Sequence, residues 1–169
     1  MNWEAVGAIS QIVGTVLVGI TLIYLAVQLR QNTSALKSST FLAISALMGS
    51  TMEIYATHSD LVPLLIKAQA GLDQLSPDER ARFGFLMMMA FRRVETVVVQ
   101  RHLGFVDCNL TEGFERSALS VLHSTGVRQW WDASKGAFSN LFSGWVDENL
   151  ASNPPRPIHA GLGLGVSKK

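Results

Sequence analysis

The stretch Ala5 to Leu29, AVGAISQIVGTVLVGITLIYLAVQL, runs 25 residues without a charged side chain and is followed at once by Arg30. About 20 apolar residues in a helix, at 1.5 Å each, cross the hydrocarbon layer of a bilayer. The length therefore predicts a single transmembrane helix. A secretory signal fits less well. The start Met-Asn-Trp-Glu lacks a positive region, and the apolar run leads into Tyr24-Leu25-Ala26-Val27-Gln28-Leu29-Arg30 rather than into a small-residue cleavage site. A buried soluble helix is the other competitor, because Ser10, Gln11, Thr15, Thr21 and Gln28 soften the hydrophobicity. A chain of 169 residues, however, has little left with which to surround so long an apolar helix.

The polar and small residues of this stretch gather on one side. At about 100° per residue, Gly7, Ser10, Gln11, Gly14, Thr21 and Gln28 fall within about 100° of one another, with Ile12, Val16, Leu17, Ile20, Ile23 and Val27 mostly elsewhere. In lipid such a face admits a second helix closely, and each polar contact across it is worth about 0.6–2 kcal/mol. The alternative is that the hydroxyls bond to carbonyls of their own helix and the glycines reflect ordinary membrane-helix composition. Gln11 separates the two readings, because an amide deep in a span calls for an outside partner, either another membrane protein or a second copy of the chain.

Only 27 residues are charged, 14 basic and 13 acidic, and the net charge is +1, which gives no support for a nucleic-acid partner. No run of lysines and arginines is dense enough for an electrostatic lipid clamp. Cys108 is the single cysteine, so no internal disulfide can form, as suits a reducing compartment. Glu4 precedes the span, whereas Arg30 and Lys37 follow it. The positive-inside rule then predicts a single-pass protein of the bacterial inner membrane, with the N-terminus outside and the remainder cytoplasmic.

Beyond the span, Gln31-Asn32-Thr33-Ser34 reads as a break, unless the helix continues straight through it. A second helix is expected over residues 35–58, with Phe41, Ile44, Leu47, Met48, Met52 and Tyr55 at helical spacing. Its nearly uncharged centre is too short to span, leaving a buried helix or an interfacial one that touches the membrane. Gly49-Ser50 marks a place for a bend. Asp60 is placed to cap a helix over Leu61 to Gly71. Ser76-Pro77-Asp78-Glu79 has the capping-box spacing and a proline at the first helical position, opening a helix that Gly104 ends near His102 or Leu103. Another helix is expected from Thr111 or Asn109 to His123, and a last one from Arg128 to Leu150 carrying Trp131, Phe138, Leu141, Phe142, Trp145 and Val146. These elements predict an all-α fold: residues 1–34 with the transmembrane anchor, a small antiparallel helical bundle over 35–151, and a tail over 152–169 shaped by Pro154, Pro155, Pro157, Gly161, Gly163 and Gly165.

Motifs for chemistry are sparse. The chain has no HExxH, CxxC, GxSxG or phosphate-binding loop, and nothing in it implies a cofactor or a metal. His58, His102, His123 and His159 are far apart, and Met87-Met88-Met89 points in three directions around a helix, which favours core packing over a shared soft-metal or haem site. Adjacent Trp130 and Trp131 are expected to send one ring to the core and one to a membrane surface or partner. Arg92-Arg93 and Glu95, set between MMMAF and VVV, must snorkel or pair, and Glu53 is the expected partner of Arg93 in a structural ion pair.

The run Leu22-Ile23-Tyr24-Leu25-Ala26-Val27-Gln28-Leu29-Arg30-Gln31-Asn32-Thr33, followed by Gly126-Val127-Arg128-Gln129-Trp130-Trp131 and Phe142, resembles a group of uncharacterised bacterial proteins with one N-terminal membrane helix and a helical remainder. The resemblance implies a bacterial, membrane-associated protein and carries no catalytic residues. The expected function is that of a non-enzymatic, membrane-anchored accessory or interaction protein, of the kind found as a small subunit of a larger membrane complex. The alternative is a small helical enzyme or ligand-binding module with a pocket near Glu53, Arg93 and Glu95.

Overall fold

The computed structural model describes residues 2–152, so the proline- and glycine-rich tail and His159 lie outside the described residues. Every regular element among them is helical: α1 (Trp3–Thr57), α2 (Leu61–Ala70), α3 (Pro77–His102), α4 (Cys108–Val121), α5 (Thr125–Ser134) and α6 (Asn140–Ser152). Short 3-10 turns occupy Leu72–Gln74 and Lys135–Ala137. The chain divides into two compact units between Thr40 and Phe41.

The first unit is helix alone. It contains the one helical segment among the described residues that is long and apolar enough to cross a membrane, and every large apolar side chain of residues 3–40 is exposed. The break expected at residues 31–34 does not form. That segment has neither glycine nor proline to stop a helix, and the Thr33 hydroxyl donates to the Leu29 carbonyl at 2.9 Å, satisfying itself on the helix it was expected to interrupt.

The second unit joins the end of α1 to the five shorter helices. Of the stripe expected on this part of α1, Ile44 is buried whereas Met52 is exposed. Leu61, Leu64 and Ala68 of α2 enter the main core. Gly126 of α5 lets the two helices approach closely: a Cβ there would lie 1.8 Å from the Ala68 carbonyl oxygen. Asp60 does not cap α2 through its side chain. Its carboxylate pairs with Arg82 instead, and the bond from that guanidinium holds its pKa below the ordinary value. Lys67 reaches Glu79 at 2.6 Å, so α2 and α3 run in opposite senses.

The capping box of α3 forms as expected. Ser76 Oγ accepts from Glu79 N at 3.3 Å, and Glu79 Oε2 accepts from Ser76 N at 2.8 Å. Phe83, Met87, Phe91, Val94 and Val98 then bury one stripe of α3. The next helix begins at Cys108, earlier than either expected start, because Asp107 caps it by accepting from Asn109 N at 2.9 Å. Thr111, one of those starts, is instead fully buried inside α4.

The single last helix expected over Arg128 to Leu150 is two helices, α5 and α6. Ser139 restarts the chain by accepting from Phe142 N at 3.3 Å. The reversal has a packing reason: it brings the Phe138 ring 5.2 Å, and the Phe142 ring 5.7 Å, from Trp131. A smaller cluster of Ile44, Val97 and Val106, flanked by Phe41 and Met48, joins α1 to α3 and the loop after it.

Candidate functional site

The six residues of the small face, Gly7, Ser10, Gln11, Gly14, Thr21 and Gln28, lie on one uninterrupted helix and all are exposed. A Cβ added at Gly7 or Gly14 would meet nothing within 4 Å. Ser10 Oγ donates to the Val6 carbonyl and Thr21 Oγ1 to the Leu17 carbonyl, both at 2.9 Å, and Thr15 Oγ1 donates to the Gln11 carbonyl at 2.8 Å. The hydroxyls are thus satisfied within their own helix. The side-chain amides of Gln11 and Gln28 make no hydrogen bond to the described residues, leaving both donors and the acceptor of each amide open.

The charges on α3 pair differently from the sequence expectation. Arg93 donates to the Leu47 carbonyl at 3.0 Å and to the Thr51 hydroxyl, both on α1. Glu53 is exposed, and no ion pair joins it to Arg93 among the described residues. One turn of α1 separates Leu47 from Thr51, and Arg93 fills that step rather than reaching the outward-facing Glu53. Glu95 belongs to Arg92, at 2.7 Å, and accepts from the Ser139 backbone N–H at 2.8 Å. Burial pushes the Glu95 pKa up, but the bonds from Ser139 and Arg92 outweigh it and hold the carboxyl below its ordinary value. Arg92 also donates to the Ala137 carbonyl and lies 4.7 Å from the centre of the Phe138 ring. Arg92 and Glu95 thereby fasten α3 to the turn between α5 and α6. Glu53, Arg93 and Glu95 do not share partners around a common centre.

Trp130 and Trp131 correct a second expectation, since both rings are buried, at 6% and 0% exposure. Phe91 packs on the two together, with centroids 5.2 and 5.5 Å away, and Phe138 closes over both. The 100° between adjacent positions separates two sides of one core here, not core from surface. The Trp131 Nε1 group is buried with no hydrogen-bond partner among the described residues.

A further ionic network joins α3 to α4. Arg101 pairs with the buried Glu115 at 2.6 Å, and Thr111 Oγ1 donates to the same carboxylate at 3.0 Å. The signal for it in the sequence is Arg101 itself, which falls on the apolar stripe that includes Val94 and Val98 and so needs a partner. Among the described residues no three His, Cys, Asp or Glu side chains are grouped to hold a metal ion. No family model matches this chain, and no curated protein and no solved structure matches it either.

Proposed function

We propose that the protein is a non-enzymatic accessory or interaction protein of a bacterial inner membrane. Residues 5–29 span the bilayer once with the N-terminus outside, and the unit from Phe41 onward forms a small cytoplasmic helical bundle. The face of Gly7, Ser10, Gln11, Gly14, Thr21 and Gln28 meets a partner helix within the membrane. The observation that carries this reading is a charge-free helical span with no protein cover, whose small face leaves the Gln11 amide open deep within the span. Lipid cannot satisfy an amide, whereas a partner helix can.

The test combines extraction with site-specific crosslinking in native membranes. The full chain stays in the membrane pellet through a carbonate wash. A photoreactive residue replacing Gln11 captures a partner, while one replacing Val16, on the opposite side of the helix, labels lipid. Release by carbonate would remove the anchor from the account, and equal protein capture from both positions would remove the small face.

A further inference from the structure

We propose that the partner helix is a second copy of this chain, lying parallel to the first along a seam that begins at Gly7 and continues beyond Arg30 to Ser38. The proposal rests on the membrane-anchored reading above and names its partner. Its starting observation is the unbroken helix through residues 30–34, which keeps the cytoplasmic positions in phase with those of the span.

Along α1, Gly7, Gly14, Thr21, Gln28 and Ala35 recur every seven residues, and Ser10, Leu17, Tyr24, Gln31 and Ser38 follow each of them by three. All ten are exposed. This alternation of four and three is the heptad pattern of two helices wound left-handedly, the supercoil absorbing a drift of about 20° per heptad. In a parallel pair each of the first five positions faces its own counterpart. Gly14 opposite Gly14 permits the closest approach. Gln28 opposite Gln28 joins two side chains that each carry a donor and an acceptor, so the amide is its own complement.

Charge placement supports the same occupant. The only charged residues between Ala5 and Thr40 are Arg30 and Lys37, themselves seven apart. Both lie about 130–150° around the helix from the centre of the small face, so two copies keep their like charges outside the seam. Insertion in one orientation makes any pair of copies parallel without a further device. A contact from Gly7 to Ser38 is about 48 Å long, and a strip about 10 Å wide on each helix buries about 1,000 Å², the lower bound for a specific interface. The pairing also covers residues 30–40, a polar helical stretch that packs on no other element of its own unit and gains little from helix propensity alone.

The test uses the full chain with Cys108→Ser, so that each variant carries one cysteine. Gln31→Cys, Ala35→Cys and Ser38→Cys place it on the seam, and Thr33→Cys and Lys37→Cys place it on the outer side. Two differently tagged copies are co-expressed, and native membranes are oxidised with copper phenanthroline. Seam residues of a parallel pair come within the about 5–7 Å Cα separation that a disulfide needs, so Ala35→Cys yields a product bearing both tags at least about ten times faster than Thr33→Cys. Gly14→Leu added to the Ala35→Cys chain lowers that yield while the protein stays in the carbonate pellet. A chain that resists carbonate but crosslinks equally from both sides, or only to a different protein, overturns the pair and leaves the anchor standing. Release of the chain by carbonate overturns both.

Discussion

Glu95 shows how much a single carboxylate holds in this fold. It bonds Arg92 on its own helix and the Ser139 N–H at the start of α6, so Glu95→Gln removes the charge from both contacts while keeping the shape. The expected loss is about 1–3 kcal/mol, read as the thermal unfolding of the full chain in detergent. Its acid dependence has a definite sign. The folded pKa lies below the unfolded one, so the contribution is complete above the unfolded value of about 4.3 and disappears as pH falls through the folded value. The advantage of wild type over Glu95→Gln therefore narrows as pH falls below the unfolded value, and a gap that widens with falling pH would contradict the assignment. The sequence showed that Arg92, Arg93 and Glu95 sit in apolar surroundings and need partners, but not which. Adjacent residues diverge by about 100° around a helix, and the choice between Glu53 and the Thr51 hydroxyl for Arg93 depends on how α1 packs against α3. The same limit applies to Trp130 and Trp131, whose shared burial requires the reversal after Ser134 that no local signal before Gly136 announces.

At the scale of elements, legibility follows how local the determining interaction is. The capping box of Ser76 and Glu79 closes within four residues and was readable from the sequence. The continuity of α1 through Asn32, Thr33 and Ser34, and the division of α5 from α6, depend on what the segment does not contain or on distant aromatic rings. Glycine sorts the helices in a testable way. Gly126 abuts the Ala68 carbonyl, where a Cβ would lie at 1.8 Å, whereas a Cβ at Gly113 of α4 would meet nothing within 4 Å. Gly126→Ala must push α2 and α5 apart and is expected to cost about 1–3 kcal/mol or more. Gly113→Ala gains helix propensity and is expected to stabilise by about 0.5–1 kcal/mol. Opposite shifts in melting temperature check the pair, and equal shifts would mean that the close approach of α2 and α5 does not hold in solution.

For the whole molecule, the proposed orientation in a membrane rests on very few charges. Of residues 1–4 only Glu4 is charged, and acidic residues contribute little to topology. Arg30 and Lys37 are the only basic residues between the span and Lys67, and α1 carries both within the 15–20 residues over which basic flanks act. Arg30→Gln and Lys37→Gln together remove that positive flank. The hydrophobic span is unchanged, so insertion itself persists. A reporter active only in the cytoplasm and one active only in the periplasm, each fused after Lys169, read the outcome. Wild type gives the cytoplasmic signal alone, and the double variant gives a mixed or periplasmic signal while remaining in the carbonate pellet. A double variant that keeps full cytoplasmic signal would show that something other than Arg30 and Lys37, such as rapid folding of the unit after Thr40, holds the chain on that side.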